Sequence, residues 1–219
     1  MGEVEIIKSE SGIRIRSDFY FYGDAASKTL AEAIAFDISN HWNEPQAILV
    51  IRNISYSVEF IIQGFYEKDL PPENIWFNTN PRNNYFRIEE VSPVHVSFVD
   101  GIKCNTGYFK LDNLLNNSTT AAHEYGHTLG LEHPEKLDIR GKGQPGIMYP
   151  RGTICDPVFQ YDPEAEPLKA GGTINPYTRK VLQSDVDQLR LHHLRWDNRG
   201  FAVLGDFSSI YHDKQHPPQ

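Results

Sequence analysis

Five residues between positions 123 and 133 have the types and spacing of a metal site. His123 and His127 are four residues apart. Residues at that spacing lie on one face of an α-helix, so both imidazoles could bind one ion. Glu124 lies one position along and can act as a base on a water molecule rather than as a ligand. The stretch therefore predicts a helix that carries two metal ligands and a general base for hydrolysis.

Gly130 and His133 indicate how a third ligand would reach the same ion. His133 lies six residues beyond His127, and an unbroken helix would place it about 9 Å further along the axis. Glycine adopts the left-handed conformation that commonly ends a helix, so Gly130 can turn the chain and bring His133 back. Three histidine ligands leave a fourth position for water, as in catalytic zinc sites. We therefore predict one catalytic zinc ion bound by His123, His127 and His133.

The stretch His123–His133 resembles the long zinc-binding motif of the metzincin metallopeptidases. The second hallmark of that family is a tight turn with a methionine beneath the metal, and Gly-Ile-Met-Tyr-Pro at 146–150 resembles this turn. The resemblance implies a zinc-dependent endopeptidase in which Glu124 is the catalytic base. It also implies that Gly130 and Met148 support the metal site.

The residues around the turn resemble two branches of the family. Met148-Tyr149-Pro150 is similar to the matrixins, whereas Pro134, after the third histidine, is similar to the serralysins. Matrixins form one wall of the specificity pocket with residues that follow this methionine, so Tyr149 and Pro150 are the candidate substrate-pocket residues. The resemblance is therefore to a matrixin-like metzincin with some serralysin-like features.

The patterns on either side of the motif indicate an α+β fold. An alternating aromatic segment at 13–22 predicts a strand, and apolar residues at spacings of four predict a helix over 25–42 that Asp24 caps. The continuous apolar run at 47–52 predicts a buried strand that completes a right-handed crossover unit. The remaining predicted elements are strands at 56–62, 85–91, 94–99 and 105–111, the active helix at 118–129, and a closing helix from Asn175 to Leu194.

The resemblance implies a more specific architecture. It consists of a twisted, mostly parallel N-terminal sheet with two long helices, an active-site cleft, and a small irregular C-terminal subdomain with a final helix. We assign residues 1–133 to the N-terminal subdomain with the zinc-binding helix. Residues 134–219 form the C-terminal subdomain with the Met-turn, a long loop, the final helix and a flexible tail. Extended substrate would pair with an edge strand, which is either 94–99 or 105–111.

Composition argues against several classes of function. The net charge of −8 and the lack of a lysine or arginine cluster argue against binding of nucleic acid. No run of about eighteen apolar residues occurs, so we expect no membrane span. No secretory signal is visible either, so we expect that a signal or a larger parent has been trimmed or that export uses another route. We expect a protein that is secreted or delivered outside the producing cell. We expect a monomer that acts on protein or peptide substrates.

Two questions stay open at this level. Cys104 and Cys155 could form a disulfide or remain free thiols, because the sequence does not give their separation. The endopeptidase also has an alternative from another class, a catalytically silent, zinc-containing protein-binding module. Glu124 favours the enzyme, since a silent site would have little reason to keep a glutamate that is not a ligand.

Overall fold

The computed structural model describes residues 1–116, 118–166, 169 and 171–214, and its architecture is α+β. Within these residues eight strands form one mixed sheet. The strands are β1 (Gly2–Ile7), β2 (Gly12–Tyr22), β3 (Ile48–Ile51), β4 (Ile54–Tyr66), β5 (Asn83–Glu89), β6 (Phe98–Val99), β7 (Thr106–Lys110) and β8 (Phe201–Leu204). The α-helices are α1 (Lys28–Asn43), α2 (Pro72–Trp76), α3 (Thr120–Thr128) and α4 (Gln183–Gln188).

The strands lie in the order β3-β4-β2-β5-β7-β6, and β1 joins β2 to β8. The central strands β4, β2, β5 and β7 are parallel to one another. The pairs β3/β4, β6/β7, β1/β2 and β1/β8 are antiparallel. The prediction of a mostly parallel sheet therefore applies only to the centre. The long strand β2 allows this mixture, because residues 12–16 pair with β1 while residues 18–22 pair with β5.

Helix α1 packs on the sheet through the predicted apolar stripe. The members of that stripe are Leu30, Ile34, Ile38 and Trp42, of which the last three are buried. The N-terminus of the helix differs from the prediction, because Ser27 rather than Asp24 is the cap. The Ser27 hydroxyl oxygen accepts the Leu30 N–H at 3.2 Å, and the extended backbone of Ser27 suits this role.

The apolar run at 47–52 forms an edge strand rather than the predicted buried one. Strand β3 lies at the end of the sheet beside β4, and Ile48 and Val50 are 55% and 61% exposed. Arg52 and Asn53 both have positive φ and form a two-residue hairpin turn, which fixes the antiparallel pairing. The crossover from β2 through α1 therefore reaches its parallel partner at β4, one strand later than predicted.

The other edge of the sheet lies next to the predicted active helix. Strand β6 covers only Phe98–Val99, and β7 lies between β5 and β6. Of the two candidate edge segments, 94–99 therefore supplies the edge and 105–111 is internal. The strand is shorter than predicted because the preceding residues turn: Ser92 Oγ donates to the Val96 carbonyl at 2.6 Å, and His95 has a φ of 63°.

The prediction of one closing helix from Asn175 to Leu194 is wrong. Single 3₁₀ turns at Pro176–Thr178 and Leu191–His193 flank the six-residue helix α4. Leu182 is extended and Arg190 is left-handed, and both conformations interrupt the helix. Of the apolar residues that the pattern placed on one face, Val181, Val186 and Leu189 are buried, whereas Leu182 and Leu194 are only partly buried.

The C-terminal part of the chain returns to the N-terminal sheet. Strand β8 pairs with β1, and Val186, Leu191 and Leu204 share one apolar core with Ile13. The boundary at residues 133 and 134 stays a prediction. The predicted flexible tail falls on residues 215–219, which lie outside the described part of the chain.

Two further points concern the whole chain. Cys104 and Cys155 are both free thiols, which decides between the two alternatives that the sequence left open. Among the described residues, no helix has both the length and the apolar character needed to cross a membrane.

Candidate metal centre

Three imidazole nitrogens converge at one end of helix α3. His133 Nε2 lies 3.0 Å from His123 Nε2 and 3.1 Å from His127 Nε2. Four-coordinate zinc at about 2.0–2.1 Å from each nitrogen would set the nitrogens roughly 3.3–3.4 Å apart. The observed separations are close to that value, so the three histidines could bind a metal ion. The structure thus brings together the three residues predicted as ligands.

Backbone carbonyls set the tautomers of the two helical histidines. The Nδ1 atoms of His123 and His127 lie 2.7 Å from the carbonyl oxygens of Ile147 and Leu131. A carbonyl only accepts, so each Nδ1 carries the proton and each Nε2 presents a lone pair. His133 Nε2 could donate a hydrogen bond to only one of these two Nε2 atoms, which would leave the other without a partner. A cation satisfies all three nitrogens, and the donor set suits zinc.

Burial keeps these candidate ligands in the neutral form that a metal requires. It lowers the pKa of His127 to about 4 and lowers the pKa values of His123 and His133 below their ordinary value. For His123 and His133 the positive charge of Arg179 is the next cause. All three imidazoles are therefore neutral at pH 7 and can offer a nitrogen lone pair without first losing a proton.

The turn after α3 brings His133 back to the helix, as the sequence predicted. Gly130 has a φ of +102° and its N–H donates to the His127 carbonyl at 3.0 Å. The Leu131 N–H donates to the Gly126 carbonyl, also at 3.0 Å. These two bonds define a Schellman motif, in which the glycine reverses the chain and satisfies the last helical carbonyls.

Met148, in the segment 146–150, packs against α3. It is 2% exposed, and Gly126 is what admits it, since a Cβ on Gly126 would lie 2.3 Å from the Met148 sulfur. Sequence reasoning did not assign Gly126 a role, although a glycine inside a predicted helix is a signal of close packing. Ile147, directly before Met148, donates a backbone hydrogen bond to the carboxyl of Asp185.

Glu124 lies beside the histidine cluster and is 7% exposed. Burial raises the pKa of its carboxyl to about 8, while the charge of Arg179 and a backbone hydrogen bond from Val99 oppose this rise. A carboxylate whose pKa is raised towards neutrality holds a proton more strongly than an ordinary glutamate, which suits a general base and acid.

Two cavities meet at Glu124 and the histidines. The first, which we name the arginine cavity, has a volume of about 240 Å³ and is lined by Pro150, Arg151 and Arg179. The second, of about 410 Å³, is lined by residues of the β6 edge and by Gly101 and Ile102. Both also contact His123, Glu124 and His133, so they form two halves of one cleft.

The two predicted pocket residues differ in their placement. Pro150 lines the arginine cavity. Tyr149 points elsewhere, because its side chain packs against a small apolar cluster formed by Ile139, Cys155 and Ile174. Only the backbone carbonyl of Tyr149 reaches the site, where it accepts a hydrogen bond from Arg179.

Arg179 is the site residue that sequence reasoning missed. Its side chain donates to Thr119 Oγ1 and to the carbonyls of Tyr149 and Pro176, at 2.9–3.3 Å. Its Nη1 also lies 3.0 Å from His123 Nδ1, but that nitrogen already donates to Ile147 at 2.7 Å and cannot accept. Burial lowers the pKa of Arg179 to about 10, so it remains a cation at neutral pH.

Comparison with known proteins adds no assignment. No protein-family model matches the chain, and no curated protein matches it significantly. The function must therefore be argued from the residues and their geometry.

Proposed function

We propose that this protein is a zinc-dependent endopeptidase of the metzincin type, with matrixin-like features. One observation carries the proposal: three histidine Nε2 atoms converge in a cleft whose walls also contain the buried carboxyl of Glu124. The helix that ends in a glycine turn, the methionine packed beneath it and the open edge strand support the same assignment.

The proposed reaction is hydrolysis of a peptide bond. Zinc held by His123, His127 and His133 would polarise the scissile carbonyl and lower the pKa of a water molecule to about 7. Glu124 accepts the proton from the attacking water and later donates it to the leaving amine. Glu124 lines both cavities of the cleft, which supports this role.

The edge of the sheet offers a binding surface for extended substrate. Strand β6 pairs on one side with β7 and is the last strand of the sheet, so its other side can accept a further strand. The Val99 backbone also donates a hydrogen bond to the carboxyl of Glu124, the proposed general base, which supports this edge as the substrate surface. A peptide added to β6 would thus run along the cleft, with backbone hydrogen bonds that do not depend on its sequence.

Cleavage of a peptide library, read by mass spectrometry, tests the proposal. We expect cuts by the zinc-loaded protein, and Glu124→Ala should lose on the order of 10² to 10⁴ in rate because the general base is missing. Zinc content is measured on every sample. Glu132→Ala is the matched control, since Glu132 is an exposed glutamate in the same segment.

Each outcome separates the endopeptidase from the silent zinc module. Full activity in zinc-loaded Glu124→Ala would contradict the role of Glu124 in catalysis. No cleavage by zinc-loaded wild type would favour the silent protein-binding module instead.

A further inference from the structure

Two arginines line the arginine cavity beside the catalytic cluster. Arg179 is 5% exposed, whereas Arg151 is exposed and extends the same wall towards solvent. Both side chains carry a positive charge and line the same cavity, which Glu124 also lines. The cavity therefore has a strongly positive wall in a chain whose net charge is −8.

Among the described residues, no carboxylate oxygen lies within 4.0 Å of a side-chain nitrogen of either arginine, although the charge of Glu124 acts on Arg179. A guanidinium has five N–H donors, and those of Arg179 meet three neutral oxygens. A buried charge without a hydrogen-bonded counter-ion is costly, so a carboxylate that entered this cavity and contacted Arg179 would be bound favourably. Arginine also suits a carboxylate because its planar group can donate two parallel hydrogen bonds.

We propose that the arginine cavity binds the side chain of an acidic substrate residue, aspartate or glutamate, directly beside the scissile bond. The proposal rests on the endopeptidase function and names its substrate class. The cavity volume of about 240 Å³ compares with about 30 Å³ for one water molecule in the liquid, so one such side chain fits. Because the cavity shares His123 and Glu124 with the site, its occupant would belong to a residue that flanks the cleaved bond.

Matched peptide pairs test this directly. The members of a pair differ only by Glu against Gln, or Asp against Asn, at one position that flanks the cleaved bond. We expect zinc-loaded wild type to favour the acidic member in kcat/KM by on the order of tenfold to a hundredfold, as charge-assisted hydrogen bonds allow. Arg151→Gln should reduce that ratio to a few-fold or less, and Arg151→Glu should reverse the charge preference in favour of lysine.

Arg195→Gln is the matched control, since Arg195 is an exposed arginine that lines a separate groove without any of the site residues. It should keep the wild-type ratio. An unchanged ratio in both Arg151 variants would overturn the proposal.

Arg179 needs a separate experiment because it also ties three segments together. Arg179→Gln should lower kcat/KM for the acidic peptide more than for its amide partner, and Arg179→Lys should restore part of the difference. An equal loss on both peptides, without rescue by lysine, would show that Arg179 only positions the site. Arg151 keeps the proposal testable if Arg179→Gln does not fold.

The proposal and the endopeptidase function fail in different ways. Cleavage by wild type without any acidic preference would overturn the acidic pocket and leave the endopeptidase intact. If wild type cleaves nothing, fluorescence anisotropy of the same peptide pairs on the zinc-loaded protein still decides. Tighter binding of the acidic member that is lost in Arg151→Gln supports the pocket, and equal affinities contradict it.

Discussion

His133 differs from the other two ligand candidates in how its position is determined. His123 and His127 share a helix face by their spacing alone, whereas His133 depends on the Gly130 turn and is the most exposed of the three. His133 Nε2 is also the atom that approaches both other nitrogens, at 3.0 and 3.1 Å. It therefore completes the cluster, and its removal should leave the helical pair unable to hold a metal tightly.

We predict that His133→Ala loses zinc affinity by more than a hundredfold. Loss of a hydrogen-bond partner of a ligand already costs about 10- to 100-fold, and loss of the ligand itself should cost more. Competition with a chromophoric chelator measures the affinity. His193→Ala removes an exposed histidine outside the cluster and should bind zinc as wild type does. Wild-type affinity in His133→Ala would mean that the third ligand lies elsewhere.

The candidate ligands and base could be predicted from the sequence because they lie within eleven consecutive residues, with His123 and His127 at helical spacing and Gly130 before His133. Arg179 could not, since it is 56 residues from His123 and reaches it only through the tertiary fold. Tyr149 illustrates the same limit. Its position after Met148 gave the right segment, but the apolar cluster around Ile139 determines where its ring points.

Elements were predicted more reliably than their boundaries. The apolar spacing of α1 was right, but Asp24 and Ser27 are both good caps and the sequence offered no way to rank them. The closing segment failed because burial of its apolar residues did not require one helix. Extended Leu182 and left-handed Arg190 divide it while leaving Val186 and Leu191 in the core. Tertiary packing thus overrode a local periodicity.

Asp185 links the short helix α4 to the turn that precedes Met148. Its Oδ2 accepts the Leu182 N–H at 2.7 Å, and the carboxyl also accepts a hydrogen bond from Ile147. Burial is the main cause that raises its pKa from 3.8 to about 6. The folded state therefore favours the protonated carboxyl. The stabilisation that this provides is complete below pH 3.8 and is lost as the pH rises through about 6.

We predict that Asp185→Asn changes the pH dependence of stability. The asparagine does not titrate, whereas the wild-type carboxyl loses its stabilising effect as the pH rises. The free energy of unfolding of the variant minus that of wild type should therefore rise by about 2–3 kcal/mol between pH 3.5 and pH 7. Any constant cost of the amide at this position cancels in that comparison. Urea unfolding at several pH values measures this difference. Asp187→Asn is the control, since Asp187 is an exposed carboxylate on the same helix. A difference that stays flat or falls with pH contradicts the argument.

At the scale of the whole molecule, the helix that carries the candidate metal ligands and the sheet share one apolar core. All three candidate ligands lie in residues 1–133, yet His123 Nδ1 donates to Ile147 in the following segment. Strand β8 completes the sheet beside β1, and Leu191 and Leu204 share the core with Ile13. The family resemblance implied two subdomains that divide after His133. The return of the chain to β1 has no local signal in the sequence, so it was not predicted.

This connection predicts that zinc stabilises both parts of the chain equally. Zinc at 100 times its dissociation constant should raise the free energy of unfolding by about 2.7 kcal/mol. If the chain unfolds as one unit, zinc should slow hydrogen exchange by the same factor in both parts. Strand β2 represents residues 1–133, which include the candidate ligands, and α4 and β8 represent residues 134–219. Hydrogen-exchange mass spectrometry at increasing denaturant, with and without zinc, measures the exchange rates of both parts in one sample. His133→Ala provides the control, because zinc should then protect neither part. Protection confined to residues 1–133 would instead establish two independently unfolding subdomains, with the metal bound by the first alone.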